Sequence, residues 1–256
     1  MMPAVLTIAG SDPSGGAGLQ ADLKTFHRLG VYGQSAVTLI TAQNTRGVTA
    51  VHLLPPELVV QQIDAVLSDI GAAAIKTGAL GSPELIRVVT ERLRGSGIPL
   101  VVDPVLISKH GHPLAGPESA AALHDLLTLA TVIMPNRHEV GLLSGRPVDT
   151  AEQAHDAALS LIERGVAAVL LKGSGEGADD LLLTRDGETV LPGLTIVTRH
   201  LHGTGCTYAA ALTAHLARGL TLPMAARHAK AFIAHAIVTA PGLGSPTGYG
   251  PVNHWA

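Results

Sequence analysis

The chain has one cysteine in 256 residues, which excludes an intrachain disulfide and a multi-cysteine zinc site. Aromatic side chains are nearly as scarce, with two Phe, one Trp and three Tyr. So few rings offer little for bases to stack on, and 17 basic against 20 acidic side chains leave a formal charge of −3. A nucleic-acid partner is therefore not expected. Charged residues make up only 14%, against about 25% in an average domain, while 46% are apolar. That balance excludes intrinsic disorder. The longest strictly apolar run, Val166 to Leu171, is far too short to cross a membrane. No basic segment precedes the first apolar stretch, so a secretory leader is not expected either. The 29 Gly and 16 Pro follow no period, which excludes collagen-like and low-complexity readings. What remains is a soluble, cytoplasmic globular protein, with residues 1–256 forming a single domain.

What the chain does have is alternation. Apolar runs at Ala4 to Ala9, Val37 to Ile40, Ala72 to Ile75, Leu100 to Val102, Val132 to Met134 and Val166 to Leu171 read as buried strands. Between them, Gly18 to Leu29, Pro55 to Asp69, Pro83 to Leu93 and Thr150 to Arg164 carry helical periodicity. Pro83 sits in a first turn, and Thr150 precedes Glu152 and Gln153 as an N-cap. Leu181 to Leu183, Thr189 to Leu191 and Thr195 to Thr198 read as short strands, the first two joined at Asp186-Gly187. Helices over Thr204 to Arg218 and Leu222 to Ala240 close the pattern. The fold class expected is α/β, a mostly parallel sheet with helices on both faces.

Ligands of such sheets bind beyond the carboxyl ends of the strands. Gly10-Ser11-Asp12, Lys76-Thr77-Gly78, Asp103-Pro104, Pro135-Asn136 and Lys172-Gly173 each follow an apolar run, so together they should line one rim. The strongest local signal is His202-Gly203-Thr204-Gly205-Cys206 at the mouth of a helix. Glycines there let backbone N–H groups face outward, and the helix dipole favours an anion, in the first place a phosphoryl group. Cys206, in that first turn, is expected to have a lowered pKa. The competing reading is a glycine-rich turn around a structural thiol. Neither a GxxxxGK[ST] loop nor a GxGxxG fingerprint is present, which argues against P-loop and dinucleotide sites. Asn136 and Glu139, three residues apart, share one helical face. They suit either a Mg²⁺ site or ordinary helix capping. Asp103 is a second metal or base residue. The 13 histidines show no metal-ligand spacing.

With these residues in place, the sequence resembles the bacterial hydroxymethylpyrimidine/phosphomethylpyrimidine kinases of thiamine biosynthesis, within the ribokinase-like superfamily. The likeness runs through Ala9 to Asp12, Gly15 to Gly18, Gln20 to Lys24 and Thr41 to Thr45. It continues through Lys76 to Gly78, Asp103 to Val105, Gly111-His112, Pro135-Asn136 with Glu139, Lys172-Gly173, His202 to Cys206 and Gly250 to His254. The resemblance implies a ribokinase-like fold with a small flap over Val105 to Leu114, and two ATP- and Mg²⁺-dependent phosphorylations. The first acts on the hydroxymethyl group of 4-amino-5-hydroxymethyl-2-methylpyrimidine, the second on the monophosphate. Gln43 would read the ring, with Gly10, Ala17 and Asp22 around it. Gly203, Thr204, Gly205 and Cys206 would form the anion hole, and Cys206 would deprotonate or orient the substrate hydroxyl. Lys172 and Lys230 would neutralise ATP phosphates, while Asn136, Glu139 and Asp103 would organise Mg²⁺. The resemblance also implies a homodimer. Departures include Pro13 for a usual serine, Leu201 for a polar residue, and no histidine after Gly173-Ser174-Gly175. Two alternatives stand beside this reading, a pyridoxine/pyridoxal kinase and a non-catalytic pyrimidine sensor.

Overall fold

The computed structural model describes residues 2–105, 118–173 and 178–256. In chain order the elements are β1 (Ala4–Ser11), α1 (Gly18–Arg28), β2 (Tyr32–Asn44), β3 (Gly47–Leu53), α2 (Pro56–Leu67), β4 (Ala74–Thr77) and α3 (Pro83–Leu93). They continue with β5 (Leu100–Val102), α4 (Glu118–Leu129), β6 (Val132–Ile133), α5 (Arg137–Ser144), α6 (Ala151–Glu163) and β7 (Ala168–Leu171). The hairpin β8 (Asp180–Thr184) and β9 (Gly187–Leu191) leads to α7 (Thr204–Ala217) and α8 (Leu222–Val238). All strands among the described residues join one sheet, ordered β3-β2-β1-β4-β5-β6-β7-β8-β9. Pairings from β2 through β1 to β7 are parallel, and the pairings at the two edges are antiparallel.

The central strands are short and apolar because both of their faces are covered. One face packs Leu6, Ile8, Ile75, Val102 and Ile133 against α2 to α6. The other packs Val101, Val132 and Leu170 against α7 and α8, with α1 closing the side near Val5 and Phe26. Local chemistry starts and stops the helices. The Ser82 hydroxyl accepts from Leu85 N at 3.1 Å ahead of α3, and Thr150 forms a capping box with Gln153. Gly145, at φ 72°, ends α5. Among the described residues no helix is long and apolar enough to cross a membrane.

The structure corrects the sequence reading in four places. β2 runs on to Asn44 and turns back as β3, where no strand was expected. This outer hairpin is half-solvated, so its Thr, Gln and Ala positions lack the apolar signal of a buried strand. α4 also has no counterpart in the sequence reading. Thr195 to Thr198 forms no strand, and β7 begins at Ala168 rather than Val166. The expected flap lies, apart from Val105, outside the described residues.

Two buried histidines give the fold an acid limit. Burial, with His228 and Arg218 nearby, lowers His215 to about 4. Burial, with Lys24 and His202 nearby, lowers His254 to about 4. Both groups bind protons in the unfolded chain at a pKa of about 6.5, so the unfolded state is favoured as the pH falls from about 6.5 to 4. The buried Glu139 carboxyl, raised to about 7, works the other way, one group against two. The expected result is a urea midpoint that drops across this window. His254→Gln should flatten the drop.

Candidate active site

The carboxyl ends of the parallel strands open into one cavity of about 550 Å³. β1 delivers Gly10 and Asp12, β2 delivers Thr41 and Gln43, and β4 delivers Lys76 and Gly78. Asp103 follows β5, Asn136 and Glu139 follow β6, and Lys172 follows β7. The amino end of α7, Gly203 to Cys206, completes the wall. The structure therefore brings eleven of the thirteen expected site residues to the cavity: Gly10, Ala17, Gln43, Asp103, Asn136, Glu139, Lys172 and the four of α7.

No side chain caps α7 among the described residues. Its N-cap, Gly203, sits at φ 79°, and a Cβ there would come within 1.8 Å of the Gly16 carbonyl oxygen. Only glycine permits that approach. The opening turn of α7 thus presents backbone N–H groups and the positive end of the helix to the cavity. Gly205 faces the charged cluster, for a Cβ on it would lie 3.4 Å from Asp103 Oδ2 and 3.7 Å from Lys172 Nζ. Lys172 donates to Asp103 Oδ1 at 2.9 Å and lies 4.0 Å from Glu139 Oε2. Burial opposes the Lys172 ammonium, but Asp103 and Glu139 raise its pKa above the usual value. Glu139 is raised to about 7, because burial and Asp103 outweigh the attraction of Lys172. Asn136 and Glu139 form a capping box, Asn136 N donating to Glu139 Oε2 at 2.8 Å and Glu139 N to Asn136 Oδ1 at 2.9 Å. The capping alternative is thus what the structure contains, and it leaves Glu139 against Lys172 at the cavity wall.

Two expected positions are not brought to the cavity. Asp22 is fully buried behind β4, where Lys76 Nζ donates to its two oxygens at 2.8 and 3.0 Å and Thr7 Oγ1 donates at 2.6 Å. It is Lys76 that reaches the cavity floor. Burial works against its ammonium, yet Asp22, with Cys206 and Asp103 farther round, raises its pKa above the ordinary value. Lys76 stood in the rim signal but had no role there, since its partner is 54 residues away. Lys230 donates to Asp180 Oδ2 at 2.7 Å and to the Ala178 carbonyl at 2.6 Å. Asp180 also accepts from Gly173 N at 2.8 Å, so Lys230 and Gly173 share one carboxylate.

The expectation of a lowered Cys206 pKa is overturned. Burial pushes the thiol up to about 11, with Asp22 and Asp103 adding to it against Lys76 and a Gly18 backbone hydrogen bond. Desolvation and two carboxylates outweigh the helix end. The histidine before this turn was also given no role by the sequence reading. His202 Nε2 lies 2.7 Å from Asp12 Oδ2 and 3.5 Å from Gln43 Nε2, and both His202 and Asp12 are nearly fully buried. Burial opposes the Asp12 charge, but His202 and Ser14 hold its carboxyl below the usual value.

A family model described as Phosphomethylpyrimidine kinase matches residues 12–253. The chain belongs to the phosphomethylpyrimidine kinase family. A hydroxymethylpyrimidine/phosphomethylpyrimidine kinase from Rhizobium meliloti is 47% identical over 100% of this chain and 98% of its own length. Among solved structures, a phosphomethylpyrimidine kinase from Clostridium difficile is 40% identical with a TM-score of 0.81, covering 92% of this chain and 99% of its own. A Staphylococcus aureus pyridoxal kinase in complex with AMP-PCP and pyridoxal is 38% identical with a TM-score of 0.89, covering 100% of this chain and 95% of its own. The chain is thus a kinase with the ribokinase-like α/β fold expected of it, and the family's phosphorylation in thiamine biosynthesis is its activity class.

Two outcomes follow from this geometry. Lys76→Met leaves the Asp22 carboxylate buried without its partner and should destabilise this kinase by about 3–5 kcal/mol, read from urea unfolding. Cys206, with its pKa near 11, should react with iodoacetamide at pH 8 about a hundredfold more slowly than an unperturbed thiol.

Proposed function

We propose that this kinase transfers the γ-phosphoryl group of ATP to the hydroxymethyl oxygen of 4-amino-5-hydroxymethyl-2-methylpyrimidine, and then phosphorylates the monophosphate to the diphosphate. The observation that carries this reading is one cavity with a carboxamide, Gln43, on its β2 wall and an uncapped helix end with Lys172 on another. A carboxamide offers one donor and one acceptor, which match a ring nitrogen beside an exocyclic amine, as Gln matches adenine. Gly10 and Ala17 let the flat ring lie against backbone. A Cβ on Gly10 would strike Leu39 Cδ1 at 2.5 Å, so the Leu39 side chain would have to shift to admit one.

Phosphoryl transfer asks a protein chiefly for position and charge neutralisation. The acceptor oxygen forms a bond to γ-phosphorus as the bond from γ-phosphorus to the bridging β–γ oxygen breaks, and ADP leaves. Backbone N–H groups of Gly203 to Cys206 face the transferred oxygens, and Lys172 adds a positive charge beside them. Cys206 stays a thiol at neutral pH, so it orients the hydroxyl and does not remove its proton. In a loose transition state that proton leaves late, to the product phosphate or to solvent. Asp103, Glu139 and Asn136 would offer oxygen donors to a hard divalent ion that keeps waters and phosphate ligands, beside the contacts they already make with Lys172 and with each other. Mg²⁺ bound there would supply charge neutralisation for the phosphates. Lys230 shares the Asp180 carboxylate with Gly173, which follows Lys172 on the nucleotide side. For assembly, our reading is a homodimer through the exposed edge hairpin, where Ile40, Val51 and Leu53 lie at the surface.

The Staphylococcus aureus pyridoxal kinase supports a second reading, a pyridoxal kinase. Gln43 argues for the aminopyrimidine, since a pyridoxal ring lacks the exocyclic amine. Purified protein with ATP and Mg²⁺, offered the pyrimidine and pyridoxal side by side, should give pyrimidine mono- and diphosphate by mass. Pyridoxal phosphate as the main product would overturn the assignment. Gln43→Ala should raise KM for the pyrimidine at least about tenfold and leave KM for ATP unchanged.

A further inference from the structure

The Asp12 carboxylate holds together two segments that the reaction needs in register. Within its own loop it accepts from Ser14 N, Ser14 Oγ and Ala17 N, each at 2.9 Å. Its own backbone N–H donates to Gln20 Oε1 at 2.9 Å. The loop after β1, which walls the acceptor side of the cavity, is therefore wound around this one carboxylate. Where the two segments meet, Asp12 Oδ2 lies 2.7 Å from His202 Nε2, the shortest of its contacts, from a residue 190 positions away. His202 immediately precedes Gly203, so its backbone sets where the opening turn of α7 lies. That backbone is anchored in turn, His202 N donating to the Gly250 carbonyl at 3.0 Å and Val252 N to the His202 carbonyl at 3.3 Å. The two segments also touch through backbone alone, at Gly16 and Gly203.

We infer that Asp12 and His202 form a positioning pair, which registers the acceptor-binding loop against the phosphoryl-binding turn of α7. Neither residue needs to touch a reacting atom. The pair spans the gap between the walls that would hold acceptor and donor, and a charge-assisted hydrogen bond between buried groups is stiff and directional. Misplacement of reactants by about 1 Å costs up to about a hundredfold in rate, even when each still binds. The Gln43 carboxamide, 3.5 Å from His202 Nε2, places the same imidazole beside the group that reads the ring. This inference rests on reading the cavity as a phosphoryl-transfer site.

The test is a double-mutant cycle with Asp12→Asn, His202→Gln and the double variant. Asp12→Asn keeps an oxygen for Ser14 N but turns Oδ2, the acceptor for Ser14 Oγ, Ala17 N and His202 Nε2, into an amide donor. Each single variant should lower kcat about 30-fold with KM for ATP and acceptor within about threefold, and the double variant should be no slower than the worse single. Losses that multiply in the double variant, that appear in KM alone, or that track a fall in Tm would overturn the pair. A second readout needs no acceptor. Amide hydrogen exchange should quicken in both residues 10–18 and residues 207–210, whose amides bond back onto the opening turn of α7, for either single variant. Faster exchange confined to the mutated segment would sink the coupling whatever the substrate is. If both segments respond while wild type phosphorylates neither pyrimidine nor pyridoxal, the coupling stands and the proposed substrate falls.

Discussion

The contact on which the site depends is one of backbone with backbone. Gly203 rests so close to the Gly16 carbonyl that no side chain fits between them. That closeness sets the amino end of α7 against the loop that follows β1, and it leaves the first turn of the helix uncapped toward the cavity. A helix end satisfied by its own cap has little to offer an anion; this one has N–H groups and the dipole to spare. The sheet makes the arrangement possible. Because β1 lies between β2 and β4, its carboxyl end meets residues from the adjoining β2–β3 hairpin on one side and from β4 to β7 on the other.

Charge is handled in pairs around this opening. Asp22 neutralises Lys76 beneath the floor, Asp103 and Glu139 share Lys172 at the wall, and Asp12 holds His202 at the seam. Buried ions need such partners, since desolvation would otherwise drive them neutral. The Glu139 carboxyl, raised to about 7, marks the place where pairing is least complete. The same balance disarms Cys206. A half-buried thiol beside two carboxylates stays protonated at neutral pH.

Much of the site was legible from the chain, because each parallel strand is a short apolar run that stops at a polar or glycine residue. Gly10 to Asp12, Asp103, Asn136 and Lys172 were all found that way. Asn136 and Glu139 were legible as a pair three residues apart, with capping and metal binding left open, since both uses need the same spacing. Asp22 and Lys76 were not legible as partners. A lysine in an apolar strand and an aspartate in an amphipathic helix say nothing of each other until the helix is laid on the sheet. The outer hairpin was half missed for a different reason. A solvated edge strand carries no continuous apolar run, and β3 is exposed along most of its length.

By itself the sequence determined the alternation of strands and helices, the residues at the ends of those strands and the glycine-rich turn ahead of α7. These rest on periodicity and turn chemistry, which act over a few neighbouring residues. The tertiary structure alone decided the strand order, the pairing of Lys76 with Asp22 across 54 residues, and that of His202 with Asp12 across 190. It also decided the protonation of Cys206. Those outcomes depend on burial and on distances of a few ångströms between charges, quantities that exist only once the chain has folded.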